Sequence, residues 1–225
     1  MAGIGLYGVF YSKCVKENGV TTGYDGNVLM MGKAVSAGFE PTVPDDNPLY
    51  ANNGIAENDI SSGSGGELSL TLDRMTLEVH ADLYGSKVED VNVTVGEETV
   101  SGKEIVYKGS ETSAPIGVAY IRLQQEDGER LHDVVFYREV AMSRPSEDAE
   151  TMGESIEWQT PELTGNVAGL QGNGTQPWYR LSRWPSQQAA IAYVYQLFGS
   201  TASAAEIAQI SEGLDNMAGE EEVGV

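Results

Sequence analysis

The chain has 225 residues, enough for one generous domain, or one domain with an appendage, and for a substantial core. Its single cysteine, Cys14, leaves no intrachain disulfide to supplement that core. The 34 Asp+Glu against 13 Lys+Arg give a net charge of -21, which excludes a binder that grips nucleic acid by displacing phosphate counterions with Lys and Arg.

The apolar stretch Met1 to Phe10 has no basic residues before it, and Lys13 interrupts it well short of a membrane-spanning length. Neither an export signal nor an anchor is expected, and assembly inside a cell is the natural reading. Short apolar runs rich in Val, Ile and Tyr, punctuated by Gly, favour a mainly antiparallel β architecture. Gly5 to Cys14 and Gly26 to Val35 read as strands separated by a polar turn around Glu17 to Gly23. From Gly38 to Gly66 the periodicity lapses, with Pro41, Pro44, Pro48, Asn52 and Asn53 ahead of a Ser-Ser-Gly-Ser-Gly-Gly run. A structureless loop of that length is expected to be functional or disordered.

Leu68, Leu70 and Leu72 alternate with polar residues as in a half-buried strand. Thr76 to Gly85 fits both periods, but Leu77/Ala81, Val79/Leu83 and the stop at Gly85 favour a short helix. Val91, Val93 and Val95 form a further alternating strand, followed by a Gly96-Glu97-Glu98 turn and a segment through Ile105 to Lys108. Ile116 to Met142 is the clearest hairpin, turning at Asp127-Gly128. Along its second arm, Val134, Phe136, Arg138, Val140 and Met142 alternate with Val135, Tyr137, Glu139 and Ala141, so both faces are partly apolar. Such an arm packs a core on one side and a neighbouring subunit on the other, or two core faces within one subunit.

Ile156 and Trp158 begin another strand, and Pro177 to Trp184 gives an aromatic-rich one. Ser186 caps a helix through Phe198 with its stripe at Ile191, Val194, Tyr195 and Phe198. Ser203 and Glu206 form a capping box for a second amphipathic helix, ahead of the acidic residues Glu220 to Glu222. Residues 1–199 therefore read as one domain, and 200–225 as a helix with an acidic tail.

No motif carries chemistry. His80 and His132 stand apart from any metal-ligand spacing, and the Gly-rich runs lack a phosphate-loop context. Acidic pairs such as Asp45/Asp46 and Glu97/Glu98 lie in turn-like sequence, which leaves little basis for a hydrolase. No catalytic, metal or cofactor-binding residue is expected.

Several segments, in order, resemble the major tail protein family of long, non-contractile-tailed bacteriophages, the siphophages. They are Gly32-Lys33-Ala34-Val35-Ser36; Leu49-Tyr50-Ala51-Asn52-Asn53 with Ala56-Glu57-Asn58-Asp59; and Gly66 to Asp73 with Ala81-Asp82-Leu83-Tyr84-Gly85. The most specific block is Gly117-Val118-Ala119-Tyr120, Phe136-Tyr137-Arg138-Glu139-Val140, Pro145 and Gly153 to Leu163. The resemblance covers roughly residues 30 to 165, and the piece after Gly199 departs from it.

The resemblance implies a tail-tube fold, mainly β with flanking helices: two packed antiparallel sheets forming a barrel or sandwich, a long inter-subunit loop at about 38–66 and an extra C-terminal helix. It implies a structural virion protein of the tail, assembled in the host cytoplasm into stacked hexameric rings that conduct phage DNA without binding it specifically. The other implied partners are the tape measure, tail terminator and distal tail proteins, with no cofactor and no membrane. Leu49, Tyr50, Ala51, Asn52, Asn53, Glu57 and Asp59 of the loop, with Phe136, Arg138 and Val140, are the expected subunit-interface residues. Two other readings stay open: the inner tube of a contractile injection system, and a secreted β-sandwich recognising polysaccharide through Trp158, Trp178 and Trp184.

Overall fold

The computed structural model describes residues 2–42, 47–51, 54–59, 65–108, 113–144, 160–169 and 177–215. It is mainly β. The strands are β1 (Ala2–Glu17), β2 (Val20–Tyr24), β3 (Leu29–Gly32), β4 (Ala34–Pro41), β5 (Asn47–Ala51), β6 (Gly54–Asp59), β7 (Gly66–Leu72), β8 (Val88–Val95), β9 (Glu98–Ile105), β10 (Ile116–Glu126), β11 (Glu129–Met142), β12 (Glu162–Val167) and β13 (Tyr179–Trp184). Three helices accompany them: α1 (Leu77–Tyr84), α2 (Gln187–Leu197) and α3 (Ala204–Asp215).

Nine strands form one antiparallel sheet along the path β2-β1-β10-β11-β12-β7-β4, with β3 also on β1 and β13 also on β11. Residues from both ends of the path meet in one core: Val9, Tyr11 and Met31 from one limb, Leu68, Leu70, Leu72 and Leu163 from the other. The layers of a sandwich are thus two limbs of a curled sheet. Among the described residues β4 pairs only with β7, so no closed barrel forms. A second core lies on the opposite face, where Phe10, Ala119, Ile121, Val134 and Phe136 receive Ala190, Ile191, Val194 and Phe198 from the α2 end and Leu214 from α3.

Local chemistry explains most element boundaries. The Asp127-Gly128 turn has φ of 51° and 87°, the left-handed pair that lets two residues join twisted strands. Asn18-Gly19 does the same with 52° and 81°, so the expected polar turn of residues 17–23 is a tight hairpin containing β2. Thr76 caps α1 by accepting from the Val79 amide, and Gly85 ends it in the left-handed region at φ 72°. Ser186 caps α2 in the same way through the Ala189 amide. At α3 the Ser203 and Glu206 side chains each accept from the other's backbone amide, at 2.8 and 3.3 Å.

β11 departs from simple alternation. Its register against β10 changes by one residue between Ile116↔Val140 and Val118↔Tyr137, which places Arg138 and Glu139 together opposite Gly117 as a β-bulge. Beyond it Val140 and Met142 join Val135 and Tyr137 in the first core, whereas Val134 and Phe136 stay in the second. The single face expected for Val134 to Met142 is therefore split, because one extra residue inverts the direction of every later side chain. The bulge is also a branch point: before it β11 pairs β13 through residues 132–137, and after it β12 through 140–142.

Most polar groups of the bulge find partners, as burial favours, although Arg138 Nε has none among the described residues. The Arg138 amide donates to Trp178 O at 2.9 Å, and the Ala168 amide donates to Glu139 O at 2.9 Å. Arg138 O accepts from the Tyr24 hydroxyl at 2.7 Å and the Cys14 thiol at 3.6 Å. The buried Glu139 carboxylate accepts from Lys16 Nζ at 2.6 Å and from Thr21 Oγ1, and the Arg138 guanidinium donates to Thr21 O at 2.6 Å.

Gly117 lets the rings of Tyr24 and Phe198 close over the bulge, since a Cβ there would lie 2.5 Å from Tyr24 Cε1 and 2.8 Å from Phe198 Cε1. Gly117→Ala is expected to cost about 1–3 kcal/mol by overpacking. Gly102→Ala, whose Cβ would meet only Val91 O at 3.9 Å, is expected to be neutral or slightly stabilising. Urea titration of the two variants checks the contrast.

Candidate assembly surface

The expected interface residues fall into two groups. Leu49, Tyr50 and Ala51 lie on β5 and Glu57 and Asp59 on β6, and the two strands pair with each other, including Leu49↔Glu57 and Asn47↔Asp59, and among the described residues with no other strand. Part of the segment expected as a structureless loop is therefore a β-hairpin, and β4 continues to Pro41 before it. Asn52 and Asn53 lie outside the described residues.

The second group lies within the chain's own packing. Phe136 is 2% exposed and packs edge-on against Tyr24 and Phe198, and Val140 is 0% exposed in the first core. Arg138 serves the bulge. Phe136 and Val140 help hold the chain's own interior together, and the two apolar faces of β11 are two cores of one chain.

A surface that sequence reading passed over is the hairpin β8–β9. Register pairs Val93 with Val100 and Val95 with Glu98, so Glu89, Val91, Val93, Val95, Glu98, Val100, Gly102 and Glu104 share one face. Val93, Val95 and Val100 are 54%, 65% and 49% exposed. The opposite face is polar apart from Val88 and Ile105 at its end, with Ser101 donating to Asn92 at 2.7 Å, and it is this face that links to α1: Lys103 Nζ lies 2.8 Å from Glu78 Oε1. The alternating valines had been legible as a strand, but alternation normally means one face on a core, and here the valine face is turned away from the body.

Sheet edges add to this surface. Among the described residues β4 and β13 each pair on one side only, and each carries an exposed apolar residue, Val35 at 57% and Leu181 at 53%. Open edges with apolar side chains are templates for further pairing. Between the start of β1, the start of β4 and the end of α3 runs a groove of about 560 Å³, with Ile4, Leu6 and Val35 on its walls and Lys33 and Arg130 beside them.

The residues weighed for chemistry are engaged elsewhere. Asp82, near His80 in sequence, accepts from Tyr11 and Lys13 at 3.1 and 2.6 Å. Asp133, next to His132, is held by Arg183 at 2.7 Å. His80 Nδ1 bonds the Tyr107 hydroxyl, and His132 stacks on Tyr7. Among the described residues no three His, Cys, Asp or Glu gather as metal ligands, and no helix is long and apolar enough to cross a membrane. Trp178 packs on the first core and Trp184 on the second, so these two do not share a stacking face; Trp158 lies outside the described residues. Burial pushes the Cys14 thiol up to about 12. No protein-family profile matches the chain, and no curated protein is significantly similar to it in sequence.

The tether between α1 and β9 sets a pH dependence. The hydrogen bond from Lys103 holds the Glu78 carboxyl below its ordinary value, so its contribution is present above the unfolded value and disappears as pH falls through the folded one. Glu78→Gln is expected to speed amide exchange in β8–β9 near neutral pH, with the difference from wild type vanishing in acid. Exchange measured across that range checks it.

Proposed function

We propose that this chain is the major tail-tube subunit of a long, non-contractile bacteriophage tail, a structural protein whose copies form stacked hexameric rings around a lumen for DNA. The observation that carries the reading is the β8–β9 hairpin, whose valine face is exposed and turned away from its own subunit. A two-stranded hairpin alone is marginally stable in water, and an exposed apolar patch on a projecting element marks an interaction surface. The open edges of β4 and β13 and the separate hairpin β5–β6 support the same conclusion, since edges that are hazards in a monomer are consumed when copies close into a ring. Together with the ordered sequence resemblance they favour a polymer of identical subunits over a self-sufficient domain.

Charge fits the second half of the function. Duplex DNA carries about one negative charge per ~1.7 Å of axis, and a chain of net charge -21 presents few cations to hold it. Several of the basic residues are already committed to carboxylates, among them Lys13, Lys16, Lys103 and Arg183. DNA would slide past such a wall without adhering.

Negative-stain electron microscopy of the concentrated protein is expected to show rings or tubes with sixfold symmetry, and duplex DNA is expected to run unretarded with it at ordinary salt. A monomer that persists at high concentration alongside tail-assembly partners, or tight binding of duplex DNA, contradicts the proposal.

A further inference from the structure

The exposed hairpin and the groove are complementary in shape class and in charge. The hairpin offers an apolar strip, Val91, Val93, Val95 and Val100, bordered on the same face by Glu89, Glu98 and Glu104 and by no basic residue. The groove offers apolar walls from Ile4, Leu6 and Val35, closed below by the buried Leu123 and Leu214. Lys33 and Arg130 also line the groove and form no ion pair among the described residues; the one acid in the lining, Asp73, accepts from the Lys33 backbone amide at 2.9 Å and lies 3.8 Å from Arg74, which draws on its charge. In a chain with 13 basic residues and 34 acidic ones, two uncommitted cations beside an apolar groove form a distinctive place for an acidic, apolar element.

We propose that the valine face of β8–β9 docks into the β1–β4–α3 groove of a second copy, with the hairpin carboxylates beside that copy's Lys33 and Arg130. Identifying the occupant as a second copy rests on the tube reading; the shape and charge of the two patches do not. The subunit cannot use its own hairpin in this way while Lys103 holds the polar face of that hairpin to α1. Two hairpins cannot satisfy each other either, because a symmetric contact would set Glu89, Glu98 and Glu104 against like charges. The two patches differ, so the contact is head-to-tail, the type that closes into rings or propagates along a file.

Cysteine cross-linking tests the contact. Val95→Cys and Val35→Cys both lie at exposed positions, and the native Cys14, a partly buried thiol hydrogen-bonded to Arg138 O, is a poor competitor in oxidation. Mixing the two single variants under mild oxidation is expected to give a disulfide dimer in clear excess over either variant alone. Lys33→Glu with Arg130→Glu is expected to raise the concentration for half-assembly by about tenfold, equivalent to about 1.4 kcal/mol, and adding Glu89→Lys with Glu98→Lys is expected to restore part of it.

If wild type forms tubes but the mixed dimer does not appear, the hairpin contact is wrong and the tube reading survives. If the mixed dimer forms while no ring or tube is ever seen, the contact stands and the tube reading falls. A groove filled by the chain's own acidic residues 220–222 would leave the mixture uncross-linked and would also overturn the contact.

Discussion

The β-bulge at Arg138–Glu139 is the constraint on which the architecture depends. One additional residue in β11 lets a single strand bury Val134 and Phe136 beneath α2 and then turn Val140 and Met142 into the core between the sheet limbs. The same residue frees β11 to exchange β13 for β12 as its partner, which is what sends the sheet onward to β7 and β4. The cost of breaking a ladder in the interior is offset by Tyr24, Cys14, Thr21 and Lys16, whose side chains or carbonyls satisfy the groups that the bulge exposes. All four belong to the β1–β2 hairpin, so the tight Asn18-Gly19 turn and the bulge are parts of one arrangement.

With its cores satisfied internally, the subunit leaves its unused surface at the periphery. β8–β9 and β5–β6 are hairpins that pair with nothing else in the described chain, and among the described residues β4 and β13 each have a strand partner on one side only. On the proposed reading, this division would separate folding from assembly. The folded unit is held by two buried clusters, and the elements available to neighbours are those whose removal from water has not yet occurred. On the same reading, acidic composition would keep such elements soluble before assembly, and Lys33 and Arg130, placed beside an apolar groove, would be where that repulsion is relieved.

Much of the fold was legible from local chemistry. Thr76 and Gly85 around α1, Ser186 before α2, the Ser203–Glu206 box and the Asp127-Gly128 turn each act within a few residues, and each stands where its sequence signal placed it. Less was legible where long-range context decides. Strand β12, with Leu163 and Val167 buried among polar residues, has too few apolar positions to announce itself, and its place is fixed by β7 and β11. The bulge leaves no trace in alternation, because Phe136 and Val140 share parity along the chain and only the pairing with β10 shows that they face different cores. The same parity made Phe136 and Val140 look like one face of β11, and nothing in the sequence signalled that the valine face of β8–β9 lies opposite the face carrying the Lys103–Glu78 ion pair.

The central claim is that other copies complete β8–β9, β4 and β13, and amide hydrogen exchange followed by mass spectrometry on dispersed and assembled protein tests it most directly. The account predicts fast exchange in these three regions in the dispersed subunit, strong slowing on assembly, and no change in the already protected β10 and β11. Equal exchange in both states, or full protection of β8–β9 in the isolated subunit, would contradict it.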